Sequence, residues 1–302
     1  MQPTYTAEAE AYREKVQAFL AEKLPSNWQG IGALEGEELE TFVTEWRKVL
    51  YEAKYLAPGW PTAFGGAGLS ATEQVILAEE FAKAGVPTGG PNDAFSIQML
   101  GNTILMWGTD EQKAHYIPRI LSGEDVWCQG YSEPDAGSDL GNVGLKAELD
   151  GDEWVLNGQK IWTSAGHLAD HIFTLARTDP DSPKHKGISF LLVPMDQPGI
   201  EVRPIKMISG DSEFNEVFYT DARCPKENVI GGVNNGWGVA MSLLGYERGE
   251  AAATGPIRFK AEYQRLEAMA KERGLTDDPV ILQKLAVAYS TCQIMGYLGQ
   301  RV

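Results

Sequence analysis

Cysteine and histidine are scarce in this chain, and cations are outnumbered by anions. Three cysteines and four histidines occur among 302 residues. Cys128, Cys224 and Cys292 are odd in number, far apart and without CxxC or CxxH spacing, which argues against a disulfide framework and a structural zinc site. Free thiols in a reducing cytosol are the ordinary reading, so a cytoplasmic location is expected. His167 and His171 stand four apart, but His171 opens a strand-like run and no third ligand is near, so no metal is expected. Asp and Glu number 42 against 26 Lys and Arg, a formal net charge of −16. Such a chain repels phosphate backbones and anionic headgroups, so neither nucleic acid nor a membrane surface is an expected partner. An anionic ligand has to be held by local donors. There is no long apolar run. Residues 1–24 carry acids throughout and their apolar positions are periodic, so neither leader peptide nor bilayer span is expected. GxGxxG, P-loop, GxSxG and HExxH patterns are missing too.

What is present is a large apolar fraction: 43% hydrophobic and 10% aromatic residues supply a sizeable core and exclude disorder. From 1 to 122 the pattern is helical. Tyr12, Val16, Phe19, Leu20 and Leu24 recur at steps of three and four, as do Leu39, Phe42, Val43, Trp46, Val49 and Leu50. Ala57 to Ser70 reads as a loop, Ser70 with Glu73 as a capping box, and Thr109 with Gln112 as a second one. Four or five packed helices are expected.

From 123 to 233 the period becomes two. Asp150-Gly151 and Asn157-Gly158 each sit between short runs rich in Val, Leu, Ile and Trp, a strong hairpin signal. Further runs at 171–176, 188–193, 200–205 and 216–220 complete about seven strands, expected as an antiparallel barrel or sandwich. From 234 to 302 the helical period returns, with one stretch to about Arg273 and another from about Pro279. Between them lie a C-cap glycine, a capping Asp and an N1 proline. Two helices alone cannot bury both faces, so this third region is expected to need more chain or another subunit. The fold class is α+β multidomain: a helical domain over 1–122, a β domain over 123–233 and a helical domain over 234–302.

Three stretches could carry chemistry. Tyr131 to Asp139 collects small, polar and turn-forming residues whose amides, with the Ser132 and Ser138 hydroxyls, suit a polar cofactor edge, although a plain loop has the same composition. In Ile161-Trp162-Thr163-Ser164, Trp162 is either sheet core or a wall against a planar cofactor, with Ser164 donating to its rim. Glu247 falls on the stripe Trp237, Ala240, Leu244, Ala251, where desolvation raises a carboxyl pKa toward the range of a general base; Arg248 points about 100° away around the helix.

With these residues assembled, the chain resembles the acyl-CoA dehydrogenase flavoproteins. The likeness runs through Gly59-Trp-Pro61, Phe64-Gly-Gly66, Gly68-Leu-Ser70, Glu79-Glu80, Gly108-Thr-Asp-Glu-Gln112, Ser132 to Asp139, Asn157-Gly-Gln-Lys-Ile-Trp162, Gly236-Trp-Gly238 and Tyr246-Glu-Arg-Gly249. The resemblance implies an N-terminal α domain, a middle β-barrel domain and a C-terminal four-helix bundle, of which this chain holds the first two helices. It implies non-covalent FAD against Gln129, Tyr131, Ser132, Gly137, Ser138, Trp162, Thr163 and Ser164, with Ser138 and Arg248 also near CoA. The implied reaction takes the α-proton of an acyl-CoA onto Glu247, the base position of the isovaleryl and long-chain types, while a β-hydride passes to flavin, leaving a trans-2-enoyl-CoA. An electron-transfer flavoprotein would accept the electrons, and a homo- or hetero-tetramer is implied.

Two departures stand out: the chain stops at Val302, before the last bundle helices and the late segments that complete the FAD site. Gly274-Leu-Thr-Asp-Asp-Pro279 also stands where many members carry Arg-x-x-Phe-Gly. The latter resembles a divergent bacterial branch that pairs two different subunits and acts on steroid-like side chains. A non-catalytic subunit of a hetero-oligomer and a flavin-dependent oxidase or monooxygenase on the same fold are the alternatives.

Overall fold

The computed structural model describes residues 6–246 and 249–299, which fall into two compact units, 1–90 with 247–302, and 91–246. In the first unit, α1 (Ala7–Lys23) opens on Thr6, whose hydroxyl accepts from the Ala9 amide, and turns Tyr12, Val16 and Leu20 inward. α2 (Gly36–Glu52) buries Trp46 and Leu50, and α3 (Ala71–Ala84) buries Ile76, Leu77 and Phe81. The expected capping box is present: Glu73 N donates to Ser70 Oγ at 3.4 Å and Ser70 N to the Glu73 carboxylate at 2.8 Å. Aromatic rings bind these helices together, with Trp28 stacked on Phe42 at 4.4 Å and Phe19 edge-on to Tyr55 at 5.1 Å. The indole N–H groups are satisfied at the backbone, Trp28 by Ala84 O and Trp46 by Pro87 O.

One charged residue lies deep in this unit. Glu80, 5% exposed, accepts from Arg13, from Gln17 at 2.9 Å and from Lys83 at 2.6 Å. Burial pushes its carboxyl up, but the donors Lys83, Gln17 and Arg13 outweigh it and hold Glu80 below its ordinary value.

The helices α7 (Gly249–Glu272) and α8 (Pro279–Gly299) pack on each other, and α7 also packs on α3. Their junction matches the sequence: Gly274 takes φ +63°, Asp278 Oδ1 accepts from Val280 N at 2.8 Å, and Pro279 starts α8. Helix is described on both sides of residues 247–248, through Tyr246 and from Gly249. None of the described helices is long and apolar enough to cross a membrane.

In the second unit a π-helix (Ala94–Gly101), α4 (Asn102–Trp107) and α5 (Asp110–Ser122) lead into the strands β1 (Trp127–Gly130), β2 (Lys146–Asp150), β3 (Glu153–Ser164), β4 (His171–Arg177), β5 (Ile188–Pro194), β6 (Ile200–Ile205), β7 (Phe214–Pro225) and β8 (Val229–Ile230), then α6 (Gly236–Tyr246). The strands form one sheet in the order β6-β7-β3-β2-β4-β5-β8, with β1 beside β4. Most pairs are antiparallel, as expected, but β1 runs parallel to β4 and β2 touches β4 in parallel at Lys146–Arg177. One face packs Leu156, Ile172, Leu191, Val193, Val217 and Ala222 into a core. β4 and β5 are buried at nearly every position because their other face is covered too: Phe173 stacks on Phe190 there at 5.8 Å, and α6 packs on β5.

Two expectations need correction. Asp150-Gly151 does make the β2–β3 hairpin, but Asn157-Gly158 makes no turn and lies inside β3 at a bulge opposite β7. Asn157 instead reaches across to Asp221, donating to its carboxylate at 3.0 Å and accepting from its amide at 2.9 Å. Gly158 is required because φ +150° and a Cβ only 3.0 Å from Leu145 Cα would bar a side chain. The second concerns α6, whose buried stripe is Gly236, Val239, Ala240 and Leu243, rotated from the expected Trp237, Ala240, Leu244 line. Gly236 sets this rotation by letting the helix start against β5, where a Cβ would lie 2.5 Å from the Ser189 carbonyl carbon.

Candidate functional site

The residues singled out in 129–138 and 162–164 come together along one edge of the second unit. β1 delivers Gln129 half-buried, and Gly130 O accepts from Thr174 Oγ1 at 2.6 Å, fixing the strand end on β4. The chain then folds into a tight turn in which Glu133 and Ala136 exchange both backbone hydrogen bonds, at 2.8 and 3.1 Å. Ser132 is half-buried, whereas Gly137 and Ser138 face solvent. Tyr131 is different: its ring is buried edge-on to Phe173 and Phe190, so it supports the loop from beneath.

Trp162 is not sheet core, because its ring stands open to solvent. A register shift between Lys160 and Thr163 puts Trp162 at φ +61°, a left-handed conformation rare for a bulky residue. The indole is 57% exposed and stands edge-on to Phe214 at 6.1 Å. An indole left this open forgoes roughly 3 kcal/mol of burial, taking about 200 Å² for the ring and 25 cal/mol per Å². Thr163 points the other way: its side chain is buried, its carbonyl accepts from Asn215 at 2.9 Å, and its hydroxyl is unpaired among the described residues. Ser164 returns to the open side, half-buried.

Beneath both segments lies a pair that the sequence reading passed over. Lys160 is 0% exposed, and its ammonium donates to Tyr131 O at 3.1 Å and Glu133 Oε1 at 2.7 Å. The same carboxylate accepts from the Gly144 and Leu145 amides at 2.6 and 2.9 Å. Burial pushes Lys160 down to about 8, with Glu133 opposing the shift. A signal existed, since Trp154, Leu156 and Lys160 share one strand parity, and a lysine on the inward face demands a partner.

Next to the loop, Asp139 pairs with Lys184, Arg177 donates to Gly141 O at 2.8 Å, and His185 stacks on Trp237 at 4.2 Å. A separate cleft of about 980 Å³, lined by Trp107, Tyr116, Arg119, His171 and Asn228 among others, contains none of the expected site residues. Glu247 and Arg248 lie outside the described residues. The described part of the site therefore presents an exposed aromatic plane, small hydroxyls and a turn with free edges, a donor set that fits a planar, polar-rimmed cofactor with a phosphate tail.

Residues 6–124 match the N-terminal domain model of acyl-CoA dehydrogenases and residues 128–222 the middle domain model. The chain is 42% identical over 302 residues to acyl-CoA dehydrogenase IpdE1 of Mycolicibacterium smegmatis, spanning 95% of this chain and 76% of that protein. Among solved structures it resembles the Tcur3481-Tcur3483 steroid ACAD, with a TM-score of 0.83 at 35% identity, covering 100% of this chain and 77% of that one. The ChsE4-ChsE5 complex from Mycobacterium tuberculosis matches with a TM-score of 0.81 at 31% identity, again over 100% of this chain and 77% of that one. The order of helical domain, β domain and short C-terminal helices is thus that of the solved relatives. The chain belongs to the acyl-CoA dehydrogenase family.

Proposed function

We propose that this protein is an FAD-dependent acyl-CoA dehydrogenase subunit that forms a trans-2-enoyl-CoA, in β-oxidation of fatty acyl or steroid side chains. The observation that carries the reading is the exposed Trp162 plane, set by a bulge beside the Ser132–Ser138 turn. In this reading Trp162 and Ser164 face the flavin ring, while Gln129, Ser132, Gly137 and Ser138 hold its polar rim and tail. Tyr131 and Thr163 act from beneath, through packing and backbone. When bound, FAD supplies the acceptor for the β-hydride. Glu247 takes the α-proton onto its carboxylate, and Ser138 and Arg248 orient CoA. Hydrogen bonds to the thioester carbonyl make that proton acidic enough to remove by stabilising the negative charge that develops on oxygen. The protein is cytoplasmic, passes electrons to an acceptor such as an electron-transfer flavoprotein, and works as a homo- or hetero-tetramer. Two similar solved structures are a steroid ACAD and the ChsE4-ChsE5 complex, which supports a bulky acyl group and an unlike partner.

The test is a visible spectrum of the purified protein, with and without its partner, recorded anaerobically against short, branched, long and steroid acyl-CoAs. Bleaching of the flavin band by one of them is expected, and Glu247→Gln should abolish bleaching, by at least about 10²-fold in rate, while flavin stays bound. Undiminished bleaching in that variant would remove Glu247 as base. Bound flavin that no acyl-CoA bleaches would favour an oxidase or monooxygenase; no flavin at all would favour a structural subunit.

A further inference from the structure

The Lys160–Glu133 pair ties together four stretches of backbone. Through Lys160 it holds the end of β1 at Tyr131 O; through Glu133 it holds the turn itself and the Gly144 and Leu145 amides leading into β2. Lys160 belongs to β3, and the next residue, Ile161, donates its amide to Ser132 O at 2.9 Å. Trp162 follows directly. Residues 160 and 161 thus form a short hydrogen-bonded link between the serine turn and the tryptophan edge.

Stability alone does not call for this arrangement. A buried ion pair gains little over well-packed apolar groups of the same volume, because both ions lose their hydration. The surrounding strands bury Leu156, Val217 and Tyr219, so a methionine in place of Lys160 would meet compatible neighbours. What an apolar residue could not do is specify one position for the turn, since dispersion has no direction and hydrogen bonds do. An ammonium has three donors, of which Tyr131 O and Glu133 take two, and both acceptors lie on the segment that carries Ser132.

We infer that Lys160 is a positioning residue for the flavin site, its buried ammonium holding the 131–138 turn in fixed register with the Trp162–Ser164 edge so that both segments can grip one cofactor. This rests on the flavin reading above. Lys160 touches neither ring nor substrate; it acts through Tyr131 O and Glu133.

The test compares wild type with Lys160→Met, Glu133→Gln and the double variant. Amide hydrogen exchange is read on the flavin-free protein, and FAD affinity by flavin fluorescence. Lys160→Met should speed exchange at Gly144, Leu145 and Ile161 at least tenfold while leaving β4 and β5 amides unchanged, and should weaken FAD at least tenfold. Glu133→Gln, which keeps an acceptor oxygen, should weaken FAD less, and the double variant no more than Lys160→Met. If Lys160→Met fails to fold, smaller changes in the same direction in exchange and FAD affinity in Glu133→Gln carry the test. Unchanged exchange and affinity in the variants, with wild type binding FAD, would overturn the Lys160 inference alone. A wild type that binds no FAD would overturn the flavin reading and this inference with it.

Discussion

The amide of Ile161 donates to the carbonyl of Ser132 at 2.9 Å, which places a loop and a strand edge 29 positions apart in the chain side by side. Everything proposed for the site depends on that adjacency, because neither the serine turn nor the tryptophan edge could enclose a planar cofactor alone.

Trp162 is the sharpest handle on it. Because the indole is 57% exposed, Trp162→Ala should leave thermal unfolding nearly unchanged. FAD affinity should fall by roughly 10- to 100-fold, the worth of one stacking contact of about 1–3 kcal/mol. Flavin fluorescence titration with parallel thermal scans checks both halves.

Lys160 makes stability depend on alkaline pH in a defined direction. Its folded value, about 8, lies below the ordinary 10.5, so between those values the unfolded chain binds the extra proton and stability rises with pH. The span amounts to about 3 kcal/mol at most, at roughly 1.4 kcal/mol per pKa unit. Chemical denaturation at pH 8 and pH 10 should show a smaller gain, or a net loss, in Lys160→Met relative to wild type.

In the first unit, removing Arg13 leaves the buried Glu80 carboxylate with Gln17 and Lys83 as its remaining donors. Arg13→Met should destabilise by about 1–2 kcal/mol, less than the cost of an uncompensated buried charge because Gln17 and Lys83 still donate to Glu80. Since Glu80 is held below its ordinary 4.5, its contribution is present above that pH and is lost on acidification through the folded value. Urea unfolding at pH 7 and at pH 4 should therefore show a smaller difference between variant and wild type at the lower pH.

Gly236 tests the seating of α6. A methyl there would lie 2.5 Å from the Ser189 carbonyl carbon and 2.6 Å from the Phe190 nitrogen, backbone atoms that cannot step aside. Gly236→Ala should cost about 2 kcal/mol or more. Gly238→Ala, in the same helix with only ordinary contacts at 3.5 Å and beyond, should be neutral or stabilising by up to about 1 kcal/mol. Thermal unfolding of the two variants gives the comparison.

Much of the architecture was legible in local pattern. Both capping boxes, the Asp150-Gly151 hairpin, the Gly274 to Pro279 break and the strands at 171–177 and 188–194 follow from residues within a few positions of one another. Asn157-Gly158 was misread because a hairpin dipeptide and a bulge use the same left-handed freedom of glycine. Which one forms depends on whether β7 runs alongside, a partner some sixty residues away. The parallel pairing of β1 with β4 was invisible for the same reason, since it joins strands separated by the whole β2–β3 hairpin.

By itself the sequence determined the periodicities, caps and turns, the acidic balance, and the motifs that carry the family likeness, because each rests on short-range sterics, hydrogen bonding or simple composition. Tertiary structure decided what those residues face. It turned Trp162 outward and Thr163 inward at one bulge, sank Tyr131, expected to line the FAD, beneath the turn, and buried Lys160 against Glu133. Side-chain direction at a bulge and the pairing of a buried charge are set by which strand lies next door. That is a long-range choice, made by the packing of the sheet as a whole.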